Sequence, residues 1–176
     1  GLDLAIYYHR LCDQKLLGEN KSREWGEARL RDKVGTLIKA RLELVEEKEL
    51  VRRATTLFAL PQNNLTGLKL IWETSDIIWK IVGDTSNDIN WYTKRTTLSA
   101  VYGAVVLFWL GDNSSESEKT WEFVDRRLAD VMGFEKFKST LRANPALKPF
   151  NDLIRKSVSG IKSPIDHDSP KPGDFR

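Results

Sequence analysis

The chain has 176 residues, enough for one domain with its own core and too few for two of ordinary size. Its apolar fraction of 40% and charged fraction of 30% are those of a soluble globular protein, and no apolar run reaches the roughly 20 residues that span a bilayer. The net charge of +3 is too small to mark a nucleic-acid binder, and the single Cys12 excludes an internal disulfide and fits a reducing compartment.

Residues 2–17 are expected to form a first helix, with Leu4, Tyr7, Tyr8, Leu11 and Cys12 as its apolar stripe. The opening has neither a signal-peptide pattern nor an initiator methionine, so a longer N-terminal region is expected to precede it. A second helix is predicted over 27–47 and a third over 48–60, stopped by Pro61. The fourth carries Leu68, Trp72, Ser75, Trp79 and Val82 on one face and ends at Gly83. The fifth spans 89–110, and the run from Leu98 to Leu110 suits a buried core helix. A capping box of Ser115 and Glu118 should open a sixth helix that ends near Met132. No stretch alternates long enough to predict a strand, so the fold class is all-α, a helical bundle over 1–133.

The remainder differs in character. Residues 63–133 carry seven basic and ten acidic side chains, whereas residues 134–176 carry nine basic and five acidic ones. Within a C-terminal segment, 134–163, the residues Leu147, Phe150, Leu153, Ile154, Val158 and Ile161 recur at helical spacing, flanked by Lys148, Arg155, Lys156 and Lys162. Such a stripe suits a membrane surface, and packing on the bundle or on a second subunit is the equal alternative. Residues 164–176 have the composition of a disordered tail.

Chemistry-bearing patterns are missing. His9 and His167 are the only histidines, neither lies in a Glu-x-x-His pair, and no phosphate loop or nucleophile motif occurs. Glu73, Asp76 and Asp88 are better read as caps and surface than as acid–base groups. The sequence therefore reads as a protein that is not an enzyme, with no metal and no cofactor. Its unusual feature is six tryptophans, five of them, Trp72, Trp79, Trp91, Trp109 and Trp121, in the fourth, fifth and sixth helices. They either fill a core or frame an apolar cavity lined by Leu68, Trp72, Trp79, Leu98, Val101, Tyr102, Val105 and Trp121. Asp88, Trp91, Tyr92 and Arg95 share one side of the fifth helix at spacings of three and four, and Trp, Tyr and Arg are the types enriched at binding hot spots.

Two segments, GDTSNDINWYTKRTTLSAVY (83–102) and DNSSESEKTWEFVDRRLADVM (112–132), resemble the Coq-nine family of ubiquinone (coenzyme Q) biosynthesis, and 60–63 with Trp79 fits the same pattern. The resemblance implies a fold like TetR transcription regulators, with the N-terminal helix-turn-helix-like region absent from this chain. It implies a non-catalytic protein that binds an isoprenoid lipid or quinone intermediate and presents it to the di-iron demethoxyubiquinone hydroxylase. The partner-facing patch would be Asp88, Trp91, Tyr92 and Arg95 with Ile78 and Val82, and the family's amphipathic helix would fall on 147–161. A homodimer is expected, peripheral on a membrane surface: the cytoplasmic face of a bacterial inner membrane or the matrix face of the mitochondrial one. A weak likeness of the tail after Phe134 to alphaproteobacterial members favours the former. The alternative is a ligand-sensing domain of a TetR-like regulator; a scaffold with no ligand is the third reading.

Overall fold

A computed structural model of the chain describes residues 1–86 and 89–143, with residues 89 and 132–143 described as backbone alone. Six helices follow one another: α1 (Leu2–Asn20), α2 (Leu30–Glu43), α3 (Lys48–Ala59), α4 (Asn64–Ile81), α5 (Ile89–Gly111) and α6 (Glu118–Ala143). A 3-10 turn, Ser115–Ser117, precedes α6, and there is no strand among the described residues. The fold is an all-α bundle.

Helices α4 and α5 occupy its middle. Each packs on the other more than on any other helix; α1 and α3 also lie on α4, and α6 closes the far side against α5 and α2. Leu16, Leu37, Ile38, Ile78, Val101, Val105 and Leu128 bring five helices into one apolar core. Glycine sets two boundaries. Gly83, at φ 82°, ends α4, and the Asp84 amide donates to the Trp79 carbonyl at 3.0 Å, closing the turn a left-handed residue permits. Gly67 lets α3 approach α4, because a Cβ there would stand 2.8 Å from Cβ of Phe58.

Helix α3 contributes no buried residue. It is fastened from the side: Lys48 Nζ donates to the carbonyls of Trp109 and Asp112, and Arg52 to that of Leu110. These cations bond carbonyls at and just beyond the end of α5, where that of Trp109 also accepts from the Asp112 amide, and meet the negative end of the helix dipole.

Helix α1 differs from the expected stripe. Leu4 and Tyr7 are exposed, whereas Asp13 and Asn20 face inward with Cys12 and Leu16. The inward polar groups are compensated: Asn20 donates to the Leu16 carbonyl, and Asp13 meets partners on α2 and α4. The second helix is shorter than expected because residues 25–28 form a turn before it.

The start of α6 is not the expected capping box. The Asp112 carboxylate accepts from the amide and hydroxyl of Ser114 and from the amide and hydroxyl of Thr120, and Ser114 Oγ accepts from the Lys119 amide. Trp121 Nε1 donates to the Glu116 carbonyl, and together these bonds hold Glu116 and Ser117 at positive φ, 53° and 57°. Nor does α6 stop near Met132; it continues through residue 133 to Ala143.

No helix among the described residues is long and apolar enough to cross a membrane. Helix α5 buries one side in the core and leaves Thr96, Ala100, Ala104 and Leu107 outside, an exposed face without a charge. The stripe Leu147, Phe150, Ile154, Val158 and Ile161, and the tail 164–176, lie outside the described residues.

Candidate functional site

The densest arrangement of charge and aromatic side chains lies where α4 ends and α5 begins. Arg95, 2% exposed, donates from Nε to Asp76 Oδ1 at 2.6 Å, from Nη1 to Asp84 Oδ2 at 3.0 Å, and from Nη1 to the Trp91 carbonyl at 3.2 Å. Each carboxylate also has a lysine: Lys80 at 2.8 Å from Asp76, and Lys94 at 2.6 Å from Asp84. Burial raises the Asp84 carboxyl, but hydrogen bonds from Lys94, Ser86 and Arg95 outweigh it and hold it at about 2. Trp79 Nε1 donates to the Lys94 carbonyl, so the network ties helix, connection and helix together.

On this base stand three rings. The Arg95 guanidinium carbon is 4.0 Å from the Trp91 ring centroid. Trp91 meets Trp72 at 5.9 Å and the edge of Tyr92 at 4.8 Å. All three aromatic residues are half-buried, with part of each surface open. This is where the sequence places a partner patch, with a correction. Ile78 is fully buried and Arg95 nearly so, so neither can be a contact in this arrangement; Ile78 points to the core, and the carboxylates draw Arg95 inward. Val82 is half-buried, and Asp88 lies outside the described residues.

The residues named for a lipid cavity divide. Trp79, Leu98, Val101, Tyr102 and Val105 are buried in one cluster, with Trp121 packed partly against it. Trp72 belongs instead to the aromatic cluster beside Trp91. Leu68 is 63% exposed: Gly67, Leu70, Thr74 and Ile78 set the inward side of α4, and Leu68 falls on its flank. Two open hollows on the surface, of about 280 and 550 Å³, lie against α1 and against the end of α5, and none of the eight named residues lines either.

A polar cluster between α1, α2 and α4 escaped the sequence reading. Arg41 donates to Asp13 Oδ1 at 2.6 Å, and Thr74 Oγ1 lies 3.0 Å from both Asp13 oxygens. His9 Nε2 is 2.9 Å from Thr74 Oγ1, 3.2 Å from the Leu70 carbonyl and 3.5 Å from Asp13 Oδ2. Surrounded by acceptors, Nε2 is the nitrogen that carries the proton. The chain of donors then runs from His9 through Thr74 to Asp13. Of the other carboxylates, Glu73 pairs with Arg10 on the surface and Asp76 belongs to the Arg95 network. Among the described residues no group of His, Cys, Asp and Glu could hold a metal ion.

The COQ9 family profile matches residues 65–135, which contain both the aromatic cluster and the Asp112 turn. Over 148 residues the chain is 34% identical to the probable ubiquinone biosynthesis protein coq9, mitochondrial, of Dictyostelium discoideum, covering 79% of this chain and 48% of that protein. It is 36% identical over 144 residues to ubiquinone biosynthesis protein COQ9, mitochondrial, of Rattus norvegicus, covering 75% and 45%. To the Homo sapiens protein of the same name it is 32% identical over 143 residues, covering 75% and 44%. The chain thus spans about half the length of the curated relatives it matches.

Proposed function

The chain carries a COQ9 domain and is homologous to COQ9 proteins over about three quarters of its length, and from that premise we propose that it acts in ubiquinone biosynthesis as a non-catalytic accessory protein. Its role is to bind an isoprenoid quinone intermediate and present it to the di-iron demethoxyubiquinone hydroxylase. The observation that carries this reading is the half-open cluster Trp72, Trp91 and Tyr92, fixed on a buried ionic base within the matched domain. An aromatic group so placed has the character of a docking hot spot. The contact residues are Trp91 and Tyr92, with Asp88 beside them in sequence, while Ile78 and Arg95 lie beneath.

The lipid is a polyprenyl quinone precursor, for which each buried CH₂ contributes about 0.8 kcal/mol toward staying in the bilayer. Carrying it to an enzyme needs a second apolar environment, for which the cluster around Trp79, Leu98, Val101, Tyr102 and Val105 is the candidate. The stripe from Leu147 to Ile161 is proposed to hold the protein on the membrane, at the matrix face in a mitochondrion or the cytoplasmic face in a bacterium. A homodimer remains part of the proposal, with the uncharged outer face of α5 as the place for the second copy.

The test is the affinity of the full-length protein for the hydroxylase. Trp91→Ala should weaken it by about 2 kcal/mol or more with the helical content intact. Unchanged affinity would remove the docking surface from the proposal. Mass spectrometry of lipid that co-purifies with the protein tests the other half.

A further inference from the structure

We propose that Arg95 is a positioning residue, which sets the Trp91 ring for docking and touches no partner itself. The inference rests on the docking reading above and changes the part Arg95 plays in it. Three observations carry it. Arg95 is 2% exposed, so a partner could reach its guanidinium only by displacing the side chains over it. Charge balance does not require an arginine here, because Lys80 already lies 2.8 Å from Asp76 and Lys94 lies 2.6 Å from Asp84. What those lysines do not supply is a flat group held in a fixed plane.

The guanidinium has anchors on α4, on the connection and on its own helix: Asp76, Asp84 and the Trp91 carbonyl. Its plane is therefore set, and its carbon lies 4.0 Å from the Trp91 centroid. Trp91 sits in the first turn of α5, half-buried, with Trp72 of α4 at 5.9 Å. With the cation against the ring and the edge of Tyr92 4.8 Å away, the indole enters a complex already oriented. A ring fixed beforehand loses less freedom on binding, which is how a residue outside an interface raises affinity.

The full-length protein labelled with 5-fluorotryptophan gives the direct measurement, with Trp91→Phe assigning the resonance. Arg95→Lys keeps the charge and loses the plane. It should move and broaden the Trp91 signal while that of Trp109, in the core, stays put. Affinity for the hydroxylase should fall roughly tenfold, the share of a hot spot that pre-orientation supplies. In the Trp91→Ala background the same substitution should cost no further affinity.

A Trp91 resonance as sharp and unmoved in Arg95→Lys as in the wild type overturns the proposal. So does a loss of affinity that persists in full without the Trp91 ring, since Arg95 would then act directly. If Arg95→Lys does not fold, Asp76→Ala removes the 2.6 Å anchor, leaves the arginine in place and should move the same resonance. Failure of the docking reading would look different: Trp91→Ala would bind as the wild type does, while the fluorine signal still followed Arg95.

Discussion

Arg41 on α2 and Asp13 on α1 face each other at 2.6 Å with 3% of each side chain exposed, and Thr74 of α4 closes the third side. Three helices therefore share one ion pair. Removing either partner leaves a charge buried alone, which costs about 3–5 kcal/mol. Asp13→Ala and Arg41→Met should each lower the urea midpoint accordingly. Replacing both together should cost less than the sum of the two, because no lone charge remains.

His9 makes the same cluster sensitive to pH. Burial lowers its pKa below 6.5, outweighing the pull of Asp13 in the other direction. The unfolded chain thus takes up a proton at a higher pH than the folded one. Stability is whole above 6.5 and is lost as the pH falls from there through the lower folded value. His9→Gln should flatten that part of a plot of unfolding free energy against pH; an unchanged slope would show that His9 does not govern it.

Gly67→Ala tests the close approach of α3 to α4. Its new Cβ would meet Cβ of Phe58 at 2.8 Å, a part of the side chain that cannot swing away. The two helices must separate, at about 1–3 kcal/mol. Because α3 buries no residue, amide exchange should rise in α3 before it rises in α5.

Asp112→Asn should loosen the turn into α6. The carboxylate is held well below the usual range by hydrogen bonds from Ser114 and Thr120, so its contribution is present above 3.8 and lost only as the pH falls below that value. The variant should show a lower melting temperature and faster exchange at the Thr120 amide, the one it caps.

Periodicity was enough to place six helices in order and to find much of the core on α5, whereas on α4 only Ser75 and Trp79 of the expected face are buried, and Leu70 and Thr74 take the inward places. It failed on α1, where Leu4 and Tyr7 look inward by character and face outward in fact. A stripe counts each residue alone, whereas Asp13 is buried because Arg41 and Thr74, 28 and 61 positions away, satisfy it. The same blindness put Arg95 on the surface, since Asp76 and Asp84 hold it from another helix and its connection. The cap of α6 was missed for a nearer reason. Ser115 with Glu118 has the expected spacing, but the Glu118 amide goes to the Ser115 carbonyl, and Ser114 and Asp112 take the next amides, those of Lys119 and Thr120.

Helix α4 holds both buried ionic clusters, Thr74 in one and Asp76 in the other, two residues apart on opposite flanks. Sliding α4 by one turn, about 5.4 Å, would break both together. An apolar seam tolerates such a slip if its residues match in size, but two sets of directed ionic contacts do not. The register of α4 is therefore keyed like a lock with two pins, and motion at the aromatic end has to come from side chains and the connection rather than from the helix moving along its axis.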